Sequence, residues 1–477
     1  MREELMSSEI EKLPLRGKIG YGFGDLASCL FWMTIMSQLL YFYIDIFGLT
    51  AKAAGIMFFV SRLSDAIFDV VIGMVADRTK SRWGKFRPYL LWGAIPLAIA
   101  AVLAFTTPAF NDVGKLIYAY VTFISFMFLY STVNIPYTAL LGVISGDPVE
   151  RADAATSKFI CAFLAGIIVS MTALPFAKYF GEGNDAKGWH VTMMIYAIAA
   201  VIFFLITFFS TKERIQPIAK EQTDVKRDLK DLVRNVPWIM LFIVTILFIL
   251  FVCIRMNIIT FYFKYYVGEQ EVKLFGSTHK YGWEILASAF NTVGQVTSLI
   301  GTALIPFIVR LIGRRKAAII LFSIALVCTG LFYFFKPQDL VLMFVFQALG
   351  SISGGPISAF FWIMYADTAD YSEWKTGRRA TGLVFSASIM SNKLGWAFGS
   401  MLSAFILAQT GFVANVVQNA NVLTGLKAMM SLIPVGVGVI ALIILILFYR
   451  LDEKIMANVK TELDERRNAS NKVVANV

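Results

Sequence analysis

Residues 237–263 read PWIMLFIVTILFILFVCIRMNIITFYF, an apolar run broken by a single charged residue, Arg255. A helix rises about 1.5 Å per residue and a hydrocarbon layer about 30 Å thick needs about 20 of them, so this run is long enough to cross a bilayer. Comparable runs precede it near 19–46, 51–75, 89–108, 116–143, 154–178 and 190–210, and follow it at 283–309, 317–335, 340–366, 380–409 and 424–449, which makes twelve expected spans. Helices are the expected form, because a lipid-exposed backbone must satisfy its own hydrogen bonds and the alternation of a membrane barrel is absent.

Composition points the same way. The chain is 58% hydrophobic and only 16% charged, with a mean hydropathy of +0.69, whereas soluble domains are about 25% charged. The first 17 residues are polar, so no cleavable signal peptide is expected. With both termini placed in the cytoplasm, 30 of the 43 Lys and Arg residues fall on that side and nine on the other, the asymmetry that orients membrane proteins. The net charge of +11 is thereby explained as topology, and a nucleic-acid partner is not expected. Cys29, Cys161, Cys253 and Cys328 have no metal or disulfide spacing and read as packing residues, and His190 and His279 lie near span ends and receive no role.

The longest internal polar stretch, 211–235, divides the spans into two sets of six. The expected organisation is a tail at 1–18, a six-helix bundle at 19–210, a linker at 211–236, a second bundle at 237–450 and a tail at 451–477. A basic loop follows the second span (DRTKSRWGKFRP, 77–88) and another follows the eighth (RLIGRRK, 310–316). GDPVER at 146–151 is echoed by ADTADYSEWKTGRR at 366–379. Internal repeats around a midplane site are the architecture of many secondary transporters. Arg78, Asp147, Arg151, Arg314, Asp367, Asp370 and Arg378 are therefore candidates for cytoplasmic gating ion pairs, the alternative being that the basic residues only set topology.

Ionisable side chains inside the spans are costly and need a partner or a wet cavity. Arg62, Asp65 and Asp69 stand at i, i+3 and i+7, on one helical face. Two carboxylates so spaced, joined by oxygens from another span, suit sodium; their proximity equally suits a shared proton. In YSTVNIPYTALLG (130–142), Ser131 and Asn134 are candidates for the missing ligands or for a sugar hydroxyl, beside Pro136. Tyr137 and Trp362 are candidate stacking platforms for a sugar ring. Lys393 lies too deep to snorkel and calls for a carboxylate, such as Asp65 or Asp69, or a substrate oxygen; Lys158 lies shallower. Asp25 and Arg255 read either as site residues or as members of structural pairs.

YGFGD (21–25), RLSDAIFDVVIG (62–73), DRTKSRWGKFRPYLLWGAIPLAI (77–99), NIPYTALLG (134–142) and ADTADYSEWKTGRRATGLVFS (366–386) resemble the glycoside-pentoside-hexuronide:cation symporter family, which has the major facilitator fold. The resemblance covers all twelve spans. It implies a cation site at Asp65, Asp69 and Ser131, which would be the metal site if the ion is sodium. It also implies sugar-site roles for Lys158, Trp362 and Lys393. Cys29 and Asn134 stand where the melibiose branch has its two sugar-binding acids, so a galactoside is not expected, and a uronide and a neutral pentoside both remain open. The expected protein is a cation-coupled sugar symporter of a bacterial inner membrane, working as a monomer with no cofactor beyond the co-transported sodium or proton. A cation-independent facilitator and a non-transporting sugar sensor are the competing classes; no catalytic constellation suggests an enzyme.

Overall fold

Thr50, Asn111, Asp147 and Asn184 each turn a side-chain oxygen onto a free N–H in the first turn of the helix that follows, at Ala53, Gly114, Val149 and Lys187 respectively. Apolar runs lack such groups, so these caps mark where the chain enters a helix. The computed structural model describes residues 13–145, 147–214, 232–274, 277–377, 381–451 and 453–475. Its first half contains α1 (Leu15–Tyr41), α2 (Ala51–Arg78), α3 (Arg87–Ala104), α4 (Asp112–Leu140), α5 (Pro148–Gly181) and α6 (Asp185–Ser210). The second half begins with α7 (Val236–Phe261) and an antiparallel hairpin, β1 (Gln270–Leu274) and β2 (Ser277–Tyr281), with Gln270 opposite Tyr281. There follow α8 (Trp283–Ala303), α9 (Ile305–Ile312), α10 (Arg314–Leu331), α11 (Leu340–Thr376), α12 (Thr381–Gln409), α13 (Ala420–Met430), α14 (Leu432–Phe448) and α15 (Glu453–Ala475).

Every expected span coincides with a helix or a helix pair. Among the described residues eight helical stretches are long and apolar enough to cross a membrane, and α8 with α9, bent by 50°, makes a ninth. The other three expected spans are filled by α2, α10 and α12. Their apolarity is diluted by Arg62, Asp65 and Asp69 in α2, by Arg314, Arg315 and Lys316 at the start of α10, and by Lys393 and several serines in α12. The fold is that of an all-α membrane protein.

The chain forms two compact units. Among the described residues the first holds 13–214 with 259–292 and 404–422, and the second holds 232–258, 293–403 and 423–475. The far ends of α7 and α12 and the start of α8 thus belong with the first six helices. Within the first unit α1 packs on both α5 and α6. The glycines of YGFGD allow this: a Cβ at Gly22 would collide with Ser157 and Cys161 of α5, and one at Gly24 with the ring of Tyr137 on α4. Small residues that let helix backbones approach are a main source of association energy in lipid. Both α1 and α7 continue into a π-helical turn, Phe42–Ile46 and Tyr262–Val267. Each turn is followed by a glycine of positive φ, Gly48 at +83° and Gly268 at +67°.

In the second unit α10 packs on α11 and α14. Helix α11 runs on to Thr376, so the expected turn after residue 366 is helix until Gly377, whose φ of +70° terminates it. No breaker stands between Ala366 and Gly377. The expected C-terminal tail contains α15, which buries Met456, Val459 and Leu463 and accepts a hydrogen bond on Glu462 from Trp374 Nε1 of α11 at 2.7 Å.

The SRWGKFRP loop is held by one carboxylate. Glu213, just beyond α6, accepts N–H bonds from Lys85 at 2.8 Å, Phe86 at 2.7 Å and Arg87 at 3.1 Å, the open N-terminus of α3. Gly84, at φ +105°, lies against the same carboxylate with no room for a Cβ. The Arg87 guanidinium donates to the Phe208 carbonyl at 2.7 Å and lies over the Phe208 ring. Glu213→Ala strips the cap from α3 and is expected to lower stability by about 1–2 kcal/mol, read as a fall in the melting temperature of the purified protein. Glu213→Gln, which keeps one acceptor oxygen, falls by less.

Candidate cation and sugar site

Helix α2 places Arg62, Asp65 and Asp69 on one face, and α2 packs on α4, which brings Ser131 to that face. Ser131 Oγ lies 2.8 Å from Asp65 Oδ1 and 2.7 Å from Asp69 Oδ1. Asp65 and Ser131 are 3% and 2% exposed, while Asp69 is half-buried and forms the accessible edge of the cluster. A hydroxyl has one proton to donate. Its one proton faces two carboxylates, and the three oxygens lie close enough together to share a proton or a cation. The donor set, two carboxylates and a hydroxyl, is all hard oxygen, which fits sodium. Above it, one turn along α2, Arg62 donates to Met36 Sδ at 2.8 Å and stacks over Trp32 at 4.7 Å. Trp32 in turn stacks on Tyr130 at 5.2 Å. Sequence reasoning passed over Trp32 and Tyr130; their spacing to Arg62 exists only once α1, α2 and α4 are assembled.

A second polar cluster joins α1, α4 and α5. Lys158 Nζ lies 3.8 Å from Asp25 Oδ1 and 5.3 Å from the centre of the Tyr137 ring, and Cys29 Sγ lies 3.8 Å from Asp25 Oδ2. Asp25 and Lys158, read separately in the sequence, are thus partners. Asn134 is half-buried on α4, one turn from Ser131. Tyr137 requires a correction. It is fully buried, stacked on Tyr21 at 4.8 Å, and its hydroxyl donates to the Tyr21 carbonyl at 2.8 Å while the Tyr21 hydroxyl donates back to the Tyr137 carbonyl at 3.3 Å. With no exposed surface, Tyr137 ties α1 to α4 and presents no open ring face for a sugar.

In the second unit Trp362 is 39% exposed and lies parallel to Phe385, 6.1 Å away. It borders a small cavity with Thr245, Tyr365 and Asn392, and Lys393 is half-buried on the neighbouring turn of α12. Arg255 donates to Gln347 Oε1 at 2.8 Å and stacks on Phe332 at 4.8 Å, the structural pairing among its two readings.

The proposed gate residues scatter. Arg314 and Asp367 bond to each other at 2.7 Å. Because both belong to the second unit, the pair joins α10 to α11 and does not bridge opposed loops. Asp147 caps α5, Arg78 is exposed at the end of α2, and Arg151 and Asp370 are half-buried. Arg378 lies outside the described residues. At the same end of the first unit, Lys18 of α1 holds Glu150 at 2.8 Å and Asp153 at 2.7 Å on α5, a connection the sequence did not suggest.

A family profile described as MFS/sugar transport protein matches residues 20–453. This chain belongs to that family, the glycoside-pentoside-hexuronide:cation symporters of the major facilitator superfamily. It is 35% identical to the inner membrane symporter YicJ of Escherichia coli, over 96% of both chains. It is 33% identical to the isoprimeverose transporter of Lactiplantibacillus pentosus, over 96% of this chain and 93% of the other. It is 31% identical to the glucuronide carrier protein homolog of Escherichia coli, over 98% and 99%. Among solved structures, tetrameric PepTSo2 superposes with a TM-score of 0.66 at 12% identity, covering 90% of this chain and 97% of that one, a likeness of fold alone. The symporter is thus a multi-pass membrane transporter, not an enzyme, and couples a sugar to a cation. Tyr137→Phe is expected to lower the stability of this symporter by about 1 kcal/mol and to leave sugar affinity in a binding titration unchanged; a platform role would instead weaken sugar binding.

Proposed function

We propose that this symporter carries a neutral pentoside or other small glycoside with one monovalent cation held at Asp65, Asp69 and Ser131. In this reading it works as a monomer in a bacterial cytoplasmic membrane with both termini inside, as the distribution of Lys and Arg favours. The observation that carries cation coupling is the single Ser131 hydroxyl between two carboxylates. A cation between these oxygens offsets the charge of both carboxylates, and loading it favours reorientation. The cation can be sodium or a proton on this geometry.

The neutral substrate rests on the Asp25–Lys158 pair. A carboxylate that accepts and an ammonium that donates can bind neighbouring hydroxyls of one sugar, and their charges offset each other. One relative, an isoprimeverose transporter, agrees with this. A hexuronide is the second reading, favoured by Lys393 and by the name of another relative, a glucuronide carrier homolog.

Counterflow in reconstituted vesicles, against neutral and anionic sugars with sodium and pH gradients varied separately, tests both parts. Asp65→Asn and Asp69→Asn are each expected to abolish uphill accumulation while retaining exchange. They should also remove the cation's enhancement of sugar affinity, a coupling of about 1–3 kcal/mol. Unchanged cation stimulation in either variant would make that aspartate a helix staple. Asp25→Asn separates the substrates. It removes a charged acceptor and should weaken a neutral glycoside by about 1.5–3 kcal/mol, whereas a uronide would bind more tightly to the unmasked Lys158.

A further inference from the structure

The two π-helical turns share a pattern that no role so far absorbs. Residues 42–48 read FYIDIFG and 262–268 read YFKYYVG: two aromatics, three residues, an apolar side chain and a positive-φ glycine, at the same end of the first helix of each half. π-Turns inside long helices mark functional sites more often than chance, because the wider turn displaces side chains from helical register. The displaced residues here are charged, and they meet. Lys264 Nζ lies 2.8 Å from Asp45 Oδ2, and the Tyr265 hydroxyl donates to the same oxygen. Asn415, in the connection after α12 with φ +59°, closes the cluster. Its side chain donates to the Asp45 carbonyl at 2.6 Å and accepts from Lys264 at 2.9 Å, and its N–H donates to the Tyr265 hydroxyl at 2.8 Å. Lys264 also donates to the Tyr41 hydroxyl at 3.2 Å and lies over the rings of Tyr41, Tyr265 and Trp283.

We propose that this cluster is the outer latch of the transport cycle: the Asp45–Lys264 pair, keyed by Asn415, holds the outside shut and separates each time the sugar site opens outward. The proposal rests on the alternating-access reading and on the orientation given above, which puts residues 45, 264 and 415 on the external side. Three features support it. The cluster joins chain segments from both halves of the sequence, and contacts that join the halves at one end must break when that end opens. Two further contacts flank it: Thr260 donates to Gln38 at 3.0 Å in the interior, and Lys178 lies 3.1 Å from Glu284. The latch is also incompletely satisfied. The Asp45 side chain is fully buried, yet Oδ1 has no hydrogen-bond partner. A buried carboxylate oxygen left unpaired offsets part of what the pair contributes, so the closed state is held without being made irreversible. Opening admits water to both charges, which lowers the cost of parting them.

Distance measurement between spin labels tests the latch without any sugar. Val113 and Val417, 66% and 99% exposed at this end, take the labels in a background with the four cysteines replaced. The unaltered latch should give one short distance. Lys264→Met or Asp45→Asn should raise the ratio of a longer to the short distance by about tenfold or more, the scale on which removing one member of a buried pair acts. Asn415→Ala, which strands no charge, should move it in the same direction by less. The double exchange Asp45→Lys with Lys264→Asp should return the short distance that either exchange alone loses. Lys187→Met, which breaks an exposed pair with Glu182 at the same end, is the control and should change nothing. An unchanged distribution in Lys264→Met and Asn415→Ala, or an equal shift in Lys187→Met, would overturn the latch. A shifted distribution in a protein that accumulates no glycoside would keep the latch and reject the substrate reading.

Discussion

A charge placed in hydrocarbon has to be met by another charge or by hydrogen bonds, and the functional geometry of this symporter follows from how that demand is met. Asp65 and Asp69 meet it through a hydroxyl on a different helix. Because Ser131 reaches both, hard oxygens from two helices converge there, an arrangement suited to a positive charge. The same demand that threatens stability thereby assembles the oxygens of the proposed cation site. Elsewhere the demand is met inside the chain: Arg255 is held by Gln347 and an aromatic face, and Lys158 by Asp25.

The close approach of α1 to its neighbours is what turns these separate groups into sites. Gly22 and Gly24 let α1 lie against α5 and α4, and the Tyr21–Tyr137 pair fixes the rotation with reciprocal backbone bonds. From that position α1 contributes Trp32 toward Arg62 and Asp25 toward Lys158. The Asp65–Asp69–Ser131 cluster spans α2 and α4, the Asp25–Lys158 pair spans α1 and α5, and α1 reaches both through Trp32 and Asp25. A change in one has a short packed path to the other, which is the physical requirement for coupling.

Much of this was legible without coordinates. The helical spans were readable because crossing a bilayer demands length and apolarity that nothing else in a chain mimics, and the i, i+3, i+7 spacing in α2 was readable because helix geometry is local. The second cluster was half legible: Asp25 and Lys158 each stood out as costly, but nothing in the sequence said they were partners. Tyr137 was misread because an aromatic in a polar stretch looks the same whether its face is open or covered. Arg314 and Asp367 each stood out as gate candidates, but nothing in the sequence said that they pair with each other within one unit.

The sequence by itself determined the class of molecule, its helices and the charged face of α2, since hydropathy and the helical repeat act over a few turns of one segment. Only the tertiary structure decided which charges pair, that Glu213 caps α3 across the length of the first half, and that two matching π-turns from opposite halves meet at Asn415. Those facts depend on contacts between residues more than 50 positions apart. Such contacts are set by how helices pack against one another, which no local pattern of side chains encodes.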